Sequence, residues 1–289
     1  MQNLNLNYLF EDPQEMDAFH LPNYDGLDFV SGGSHIYGEI LWPSGEFSAP
    51  HPCVIMLHGF PGSARNDDIS HALCRIGCVV LVPHHRGAWG SQGKYLVTHC
   101  VEDAYNLAVH AKSSDFADKY GVDTNNIFLL GHSMGGNSAL NAGKNLPWIR
   151  GLILLAPYDP TCLLEKTKEE YLSALLNEGK ILNSDGTDAI YEDILKNSSN
   201  LKFINAAEKV QDKNILIFSA EYDSVSINTK MIEPLWQKLK NADSNASLSP
   251  APIHRLIEYP TEHGLLGRRI SMIKEIGKFI AESGLQHER

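Results

Sequence analysis

No apolar run in the 289-residue sequence approaches the roughly 18 residues that a membrane span requires, so no membrane partner is expected. Basic residues are scarce: 24 Lys and Arg stand against 35 Asp and Glu, a formal charge of −11. A nucleic-acid partner is therefore not expected, because phosphate binding depends on clustered Lys and Arg. Cysteine is limited to Cys53, Cys74, Cys78, Cys100 and Cys162. An odd number in apolar surroundings reads as reduced, buried thiols in a cytoplasmic protein rather than a disulfide framework. Cys74 and Cys78 are followed by no second pair at zinc-site spacing, so no metal is expected. The first twelve residues are Asn-rich, without the basic start and apolar core of a secretory signal. Internal repeats and low-complexity blocks are also missing. What remains is an ordinary globular composition, 43% hydrophobic and 20% charged, in a chain long enough to bury a sizeable core.

Two strands are predicted at Leu27–Val30 and His35–Trp42, joined by the turn residues Ser31-Gly32-Gly33-Ser34. Beyond them, short unbroken apolar runs alternate with helical periodicity. The runs are Cys53–Leu57, Val79–Val82, Ile127–Leu130, Leu152–Leu155, Ile215–Phe218 and the surroundings of Leu256–Ile257. Runs this short and this apolar fit parallel strands covered on both faces. Ile69, Ala72, Leu73 and Ile76 recur at helical spacing before Gly77, and Leu266, Ile270, Ile273, Gly277 and Ile280 do so near the C-terminus. The alternation predicts an α/β fold with a mostly parallel sheet and an antiparallel hairpin at its edge. Between Pro157 and Asn214 lie roughly fifty-five residues, far beyond the usual connection of about 2–6. They carry helical faces of their own, one with Tyr171, Ala174 and Leu175 and another with Ile190, Ile194 and Leu195. They read as a helical insertion at strand C-terminal ends, where α/β proteins bind ligands.

The run Ile127–Leu130 leads into Gly131-His132-Ser133-Met134-Gly135-Gly136, and then into a stretch rich in small residues. This is G-x-S-x-G between a strand and a helix. A Ser on so sharp a turn adopts strained backbone angles, and glycines at 131 and 135 remove the side chains that would collide there. Ser133 is the candidate nucleophile. It needs a base, and the base an orienting carboxylate, from the ends of later strands in the order Ser, acid, His. Asp223 comes after one such strand and His263 after the next. Glu221 and Asp159 are the rivals to Asp223. His132, His58 and His254 are the rivals to His263, which alone combines the chain order with a strand-to-helix loop. An oxyanion hole would use the backbone N–H of Met134 and one from His58-Gly59-Phe60-Pro61-Gly62, with Phe60 the donor. In the loop Pro83–Ser91, Arg86 is expected to pin the loop to a carboxylate such as Asp103. Trp89, Tyr158 and Leu163 are the candidates for lining a substrate pocket, with Cys162 and Leu164 beside them.

In these motifs, over roughly residues 27–285, the chain resembles the α/β-hydrolase superfamily. Within it, the chain is most similar to bacterial carboxylesterases of the feruloyl/cinnamoyl esterase type and to the catalytic domains of prolyl-oligopeptidase-like enzymes. The resemblance implies a single domain over 1–289 with the α/β-hydrolase fold: a mostly parallel eight-stranded sheet with helices on both faces. It also implies a cap insertion at about 159–213 and a cofactor-free serine hydrolase. The His-Gly-Gly-Gly loop of the hormone-sensitive-lipase group is missing. A Ser rather than an Asp at residue 133 argues against the dehalogenase and epoxide hydrolase branches, which need a carboxylate nucleophile. The expected activity is hydrolysis of a small-molecule carboxylic ester through an acyl-enzyme on Ser133. The alternatives are an amidase or aminopeptidase, or an acyl thioesterase, with the same triad; homodimerisation is left open.

Overall fold

A computed structural model of the chain describes residues 4–14, 16–176, 178–243 and 251–285. The strands are β1 (Asn23–Ser31), β2 (Ser34–Trp42), β3 (His51–Leu57), β4 (Val79–Pro83), β5 (Val122–His132), β6 (Gly151–Leu155), β7 (Asn214–Ala220) and β8 (His254–Tyr259). They form one eight-stranded sheet in the order β1-β2-β4-β3-β5-β6-β7-β8. β1 and β2 make the expected hairpin, with Gly32 and Gly33 at positive φ in its turn. β2 also pairs antiparallel with β4, and every other pairing is parallel.

The apolar runs are unbroken because both faces of the sheet are covered. Along β5, Ile127 and Leu129 enter one core, while Phe128 and Leu130 enter the other. That is the two-residue side-chain period of a strand serving two layers. The first layer is built from α2 (Val97–Lys112), α3 (Ser114–Tyr120), α4 (Met134–Gly143), α8 (Phe203–Val210) and α9 (Asn228–Asp243). The second holds α1 (Asp67–Arg75) and α10 (Arg269–Leu285), with Leu9 from the N-terminal segment. In α10 the buried stripe is Met272, Ile273, Ile276, Phe279 and Ile280. Ile273, Gly277 and Ile280 are buried as their spacing predicts, whereas Leu266, in a separate 3-10 turn at 266–268, and Ile270, in the first turn of the helix, are 74% and 70% exposed.

Between β6 and β7 the chain forms a 3-10 turn at Pro160–Glu165, α5 (Lys168–Leu176), a second 3-10 turn at Gly179–Ile181, α6 (Thr187–Lys196), the short α7 (Ser198–Leu201) and then α8. Tyr171, Leu175, Ile190 and Ile194 turn inward as their spacing predicts, whereas Leu195 is largely exposed. With Tyr95, Cys100 and Met134 they form a third apolar cluster, which seats this segment beside the start of α4. Asp159 ties the two ends of the segment together. Its Oδ1 accepts from the Thr161 N–H at 3.0 Å and the Thr161 hydroxyl at 2.7 Å, and its Oδ2 accepts from the Phe203 N–H at 2.9 Å. Burial nonetheless pushes the Asp159 carboxyl above its ordinary pKa.

Candidate active site

Ser133 stands between β5 and α4 at φ 55° and ψ −120°, a left-handed backbone that a residue with a side chain rarely adopts. Three hydrogen bonds hold it there. Its N–H donates to the Leu155 carbonyl, and its own carbonyl accepts from the N–H groups of Gly136 and Tyr158, all at 2.9 Å. The glycines are required by close approach. A Cβ on Gly131 would lie 2.1 Å from the Gly135 carbonyl oxygen, and one on Gly135 would lie 2.1 Å from that of Leu57.

The hydroxyl of Ser133 meets His263 Nε2 at 2.9 Å. On the other side of the ring, His263 Nδ1–H donates to Asp223 Oδ2 at 2.8 Å. Asp223 Oδ1 is occupied by the N–H groups of Val225 at 2.7 Å and Ser226 at 2.8 Å. The carboxylate is thus fixed by its own loop with one oxygen left for the histidine, and its side chain is only 1% exposed. The Ser226 hydroxyl anchors that loop to the Ala156 carbonyl at 2.9 Å. The three residues singled out in the sequence therefore form one hydrogen-bonded chain. Neither rival acid joins it: Asp159 is engaged at the ends of the helical insertion, and Glu221 comes after β7 with no bond to His263.

The rival histidines have other work. His132 Nε2–H donates to the His263 carbonyl at 3.1 Å, and the two rings lie 5.1 Å apart. Burial, then the neighbouring His263, lowers the His132 pKa to about 4, so it stays uncharged. His58 is buried where β3 ends. Its Nδ1–H donates to the Gly59 carbonyl at 2.8 Å, and its Nε2 accepts from the His85 N–H at 3.1 Å. Burial, aided by His85, holds His58 well below its ordinary pKa, which suits a neutral ring that donates on one side and accepts on the other. His254 bonds the Lys213 carbonyl, at the opposite end of β7 from Asp223.

The loop after β3 passes directly over the serine. A Cβ on Gly59 would come within 3.0 Å of Ser133 Cβ, so glycine is what permits that approach. Phe60 is next in the loop, and its ring packs on Tyr95 at 5.7 Å. Met134 opens α4, where a backbone N–H has no partner within the helix. Arg86 behaves as its sequence context predicts. Its guanidinium donates to Asp103 at 2.5 Å and 3.0 Å, and its backbone N–H donates to the same carboxylate at 2.9 Å.

A cavity of about 310 Å³ opens beside the serine, walled by Phe60, Pro61, Ala64, His132, His263 and Glu178 among others. None of the three expected pocket residues lines it. Trp89 stands outside the loop, 49% exposed, and its indole N–H donates to the Pro61 carbonyl at 3.3 Å. Tyr158 and Leu163 pack into apolar clusters beneath the insertion. Glu178 gave no sequence signal, because its place depends on how the insertion docks. Among the described residues, no group of three His, Cys, Asp or Glu side chains could hold a metal ion, and no helix is long and apolar enough to cross a membrane.

The family described as serine aminopeptidase, S33 matches residues 48–194. Three solved structures give the same architecture at low identity. An esterase from the archaeon Pyrobaculum calidifontis aligns at a TM-score of 0.59 and 17% identity, over 96% of this chain and 87% of its own. Est1E from Butyrivibrio proteoclasticus aligns at 0.64 and 16%, over 89% and 98%. An esterase from Pyrococcus furiosus aligns at 0.63 and 15%, over 90% and 91%. A comparison with curated proteins finds no match. The sheet order, the serine at the turn after β5 and the match to residues 48–194 lead to one conclusion: the chain has the α/β-hydrolase fold and belongs to the serine aminopeptidase S33 family.

Proposed function

We propose that the protein is a serine hydrolase that cleaves carboxylic esters through an acyl-enzyme on Ser133. The observation that carries this reading is the unbroken chain Ser133 Oγ, His263, Asp223, with both links at 2.8–2.9 Å. His263 accepts the Ser133 proton as Oγ attacks the ester carbonyl. Asp223 holds the ring so that Nε2 faces the serine, and it stabilises the imidazolium that forms. The N–H groups of Met134 and Phe60 receive the negative charge that develops on the carbonyl oxygen. His263 returns the proton to the departing alcohol, which leaves the acyl group on Oγ. It then draws a proton from water as the water attacks, and the acid is released. No part of this sequence requires a cofactor. The helices between Pro160 and Leu201 act as a cap that sets which groups reach the serine.

The esterases that share the fold favour an ester over an amide as substrate. One relative, Est1E, is known with ferulic acid bound, so cinnamoyl-type esters belong in the first panel. The family description favours a second reading, an aminopeptidase with the same triad. A panel of short acyl, long acyl and cinnamoyl esters beside aminoacyl amides separates the two. Ester turnover is expected, with Ser133→Ala removing at least about a thousandfold of it and leaving thermal unfolding unchanged within a few degrees. Turnover of the amides alone would establish the peptidase. Full ester activity in Ser133→Ala would remove Ser133 from the mechanism.

A further inference from the structure

The cavity beside Ser133 has a largely apolar wall, made by Phe60, Pro61 and Ala64 with Gly62 and Ser63 between them. Its titratable members besides the catalytic base are His132 and Glu178. Burial keeps His132 neutral down to about pH 4. Apart from the two histidines, Glu178 is the one ionisable acid or base in this wall. Among the described residues, it has neither an ion pair nor a hydrogen bond. The cavity wall supplies no Lys or Arg to neutralise it.

Glu178 is held in position by the anchoring of residues 179–183. Gly179 lies against the Phe60 ring, so closely that a Cβ there would sit 3.2 Å from Phe60 Cζ. The Leu182 N–H closes the 3-10 turn on the Gly179 carbonyl at 3.1 Å. Asn183 is then locked to the loop after β4. Its N–H donates to the Gly87 carbonyl at 2.7 Å, its carbonyl accepts from the Tyr95 N–H at 2.8 Å, and its side-chain amide donates to the Gly93 carbonyl at 2.8 Å. The insertion thus brings Glu178 and the Phe60 ring into the lining of one cavity beside Ser133.

We infer that Glu178, with the Phe60 ring, selects esters that carry a cationic group, a quaternary or primary ammonium, on the arm lying over residues 60–64. A carboxylate and an aromatic face are the two groups that attract an ammonium ion without needing a directed donor. The pairing rests on the hydrolase reading of Ser133 and names the substrate class of that same site. Because Glu178 is exposed, the preference is modest and sensitive to salt.

The test compares two fluorophosphonates of equal shape, one bearing a 2-(trimethylammonio)ethyl group and the other its neutral 3,3-dimethylbutyl counterpart. Each labels a serine by forming an Oγ–P bond and releasing fluoride, while the hydroxyl proton passes to the histidine. No knowledge of the natural substrate is needed. At low ionic strength the cationic reagent is expected to label Ser133 roughly three- to tenfold faster than the neutral one. The ratio should fall towards one in Glu178→Gln, fall below one in Glu178→Lys, and shrink in 0.5 M salt. A ratio that is the same in all three proteins overturns the inference while leaving the triad reading intact. Failure of both reagents to label Ser133 overturns the triad reading, and the inference with it.

Discussion

Ser133, His263 and Asp223 sit on three different turns, and the first and last are fixed by backbone partners while the histidine is held between their side chains. Asp223 illustrates this best. Two N–H groups from its own loop hold Oδ1, so Oδ2 has a single direction in which to accept. In Asp223→Asn, Oδ1 can keep its two donors while an NH2 faces His263 Nδ1. The ring must then carry its proton on Nε2, pointing at Ser133, where it cannot accept the serine proton. Turnover is expected to fall by roughly a thousand- to ten-thousandfold, with little change in KM or in thermal stability. An Asn variant within tenfold of the native kcat would mean that another carboxylate does the orienting. These three residues were legible in the sequence because the chemistry dictates their order along the chain and their position after strands. The wall residues were not. Trp89, Tyr158 and Leu163 are plausible pocket residues by type and location, yet their side chains point to a loop carbonyl or to apolar clusters. Glu178 takes a wall position through a docking that no periodicity announces.

At the scale of elements, the insertion is a loop of helices whose entrance and exit are clamped by one buried carboxylate. In Asp159→Ala, the Thr161 N–H, the Thr161 hydroxyl and the Phe203 N–H all lose their acceptor. The loss is expected to lower unfolding stability by about 1–3 kcal/mol, tempered by removal of a charge that burial already disfavours. It should also speed proteolytic cutting between residues 160 and 202. An unchanged urea midpoint and an unchanged cutting rate would show that the third apolar cluster alone seats the insertion. The sequence marked the segment by its length and its helical faces, but not its clamp, since Asp159 stood there only as a rival to Asp223. Element phase was similarly half legible. The last helix was evident, and Ile273, Gly277 and Ile280 lie on its buried face as their spacing predicts, but Leu266 falls in a separate 3-10 turn and Ile270 in the exposed first turn.

The whole molecule is two apolar layers about one sheet, with uncharged histidines buried just after β4 and at the end of β5. Burial lowers the pKa of His85, which faces His58, His84 and Arg86, to about 4. It does the same to His132, which faces His263, Asp223 and Arg269. In the unfolded chain both return to about 6.5. Between these values the unfolded state binds more protons, so stability is fully present above pH 6.5 and is lost as the pH falls towards 4. Each ring contributes a slope of up to about 1.4 kcal/mol per pH unit. Urea unfolding at pH 7 and pH 5 should reveal the decline, and His85→Leu should reduce it by close to one proton's share. An equal slope in the variant would assign the acid sensitivity to other groups. The architecture at this scale was the most legible, because unbroken apolar runs alternating with helical spacing admit few arrangements besides a covered parallel sheet.

The strand order also governs when Ser133 and His263 can meet. Ser133 and His263 are 130 residues apart, and β8, which delivers the histidine, is the outermost strand of the sheet beyond β7. A chain emerging from its N-terminus completes the serine turn, its glycines and the loop over it while both the acid and the base are still unmade. The hydroxyl in such an intermediate is only an alcohol. On the proposed mechanism, that hydroxyl gains its base only when the final edge closes, so acylation would begin only in the finished sheet.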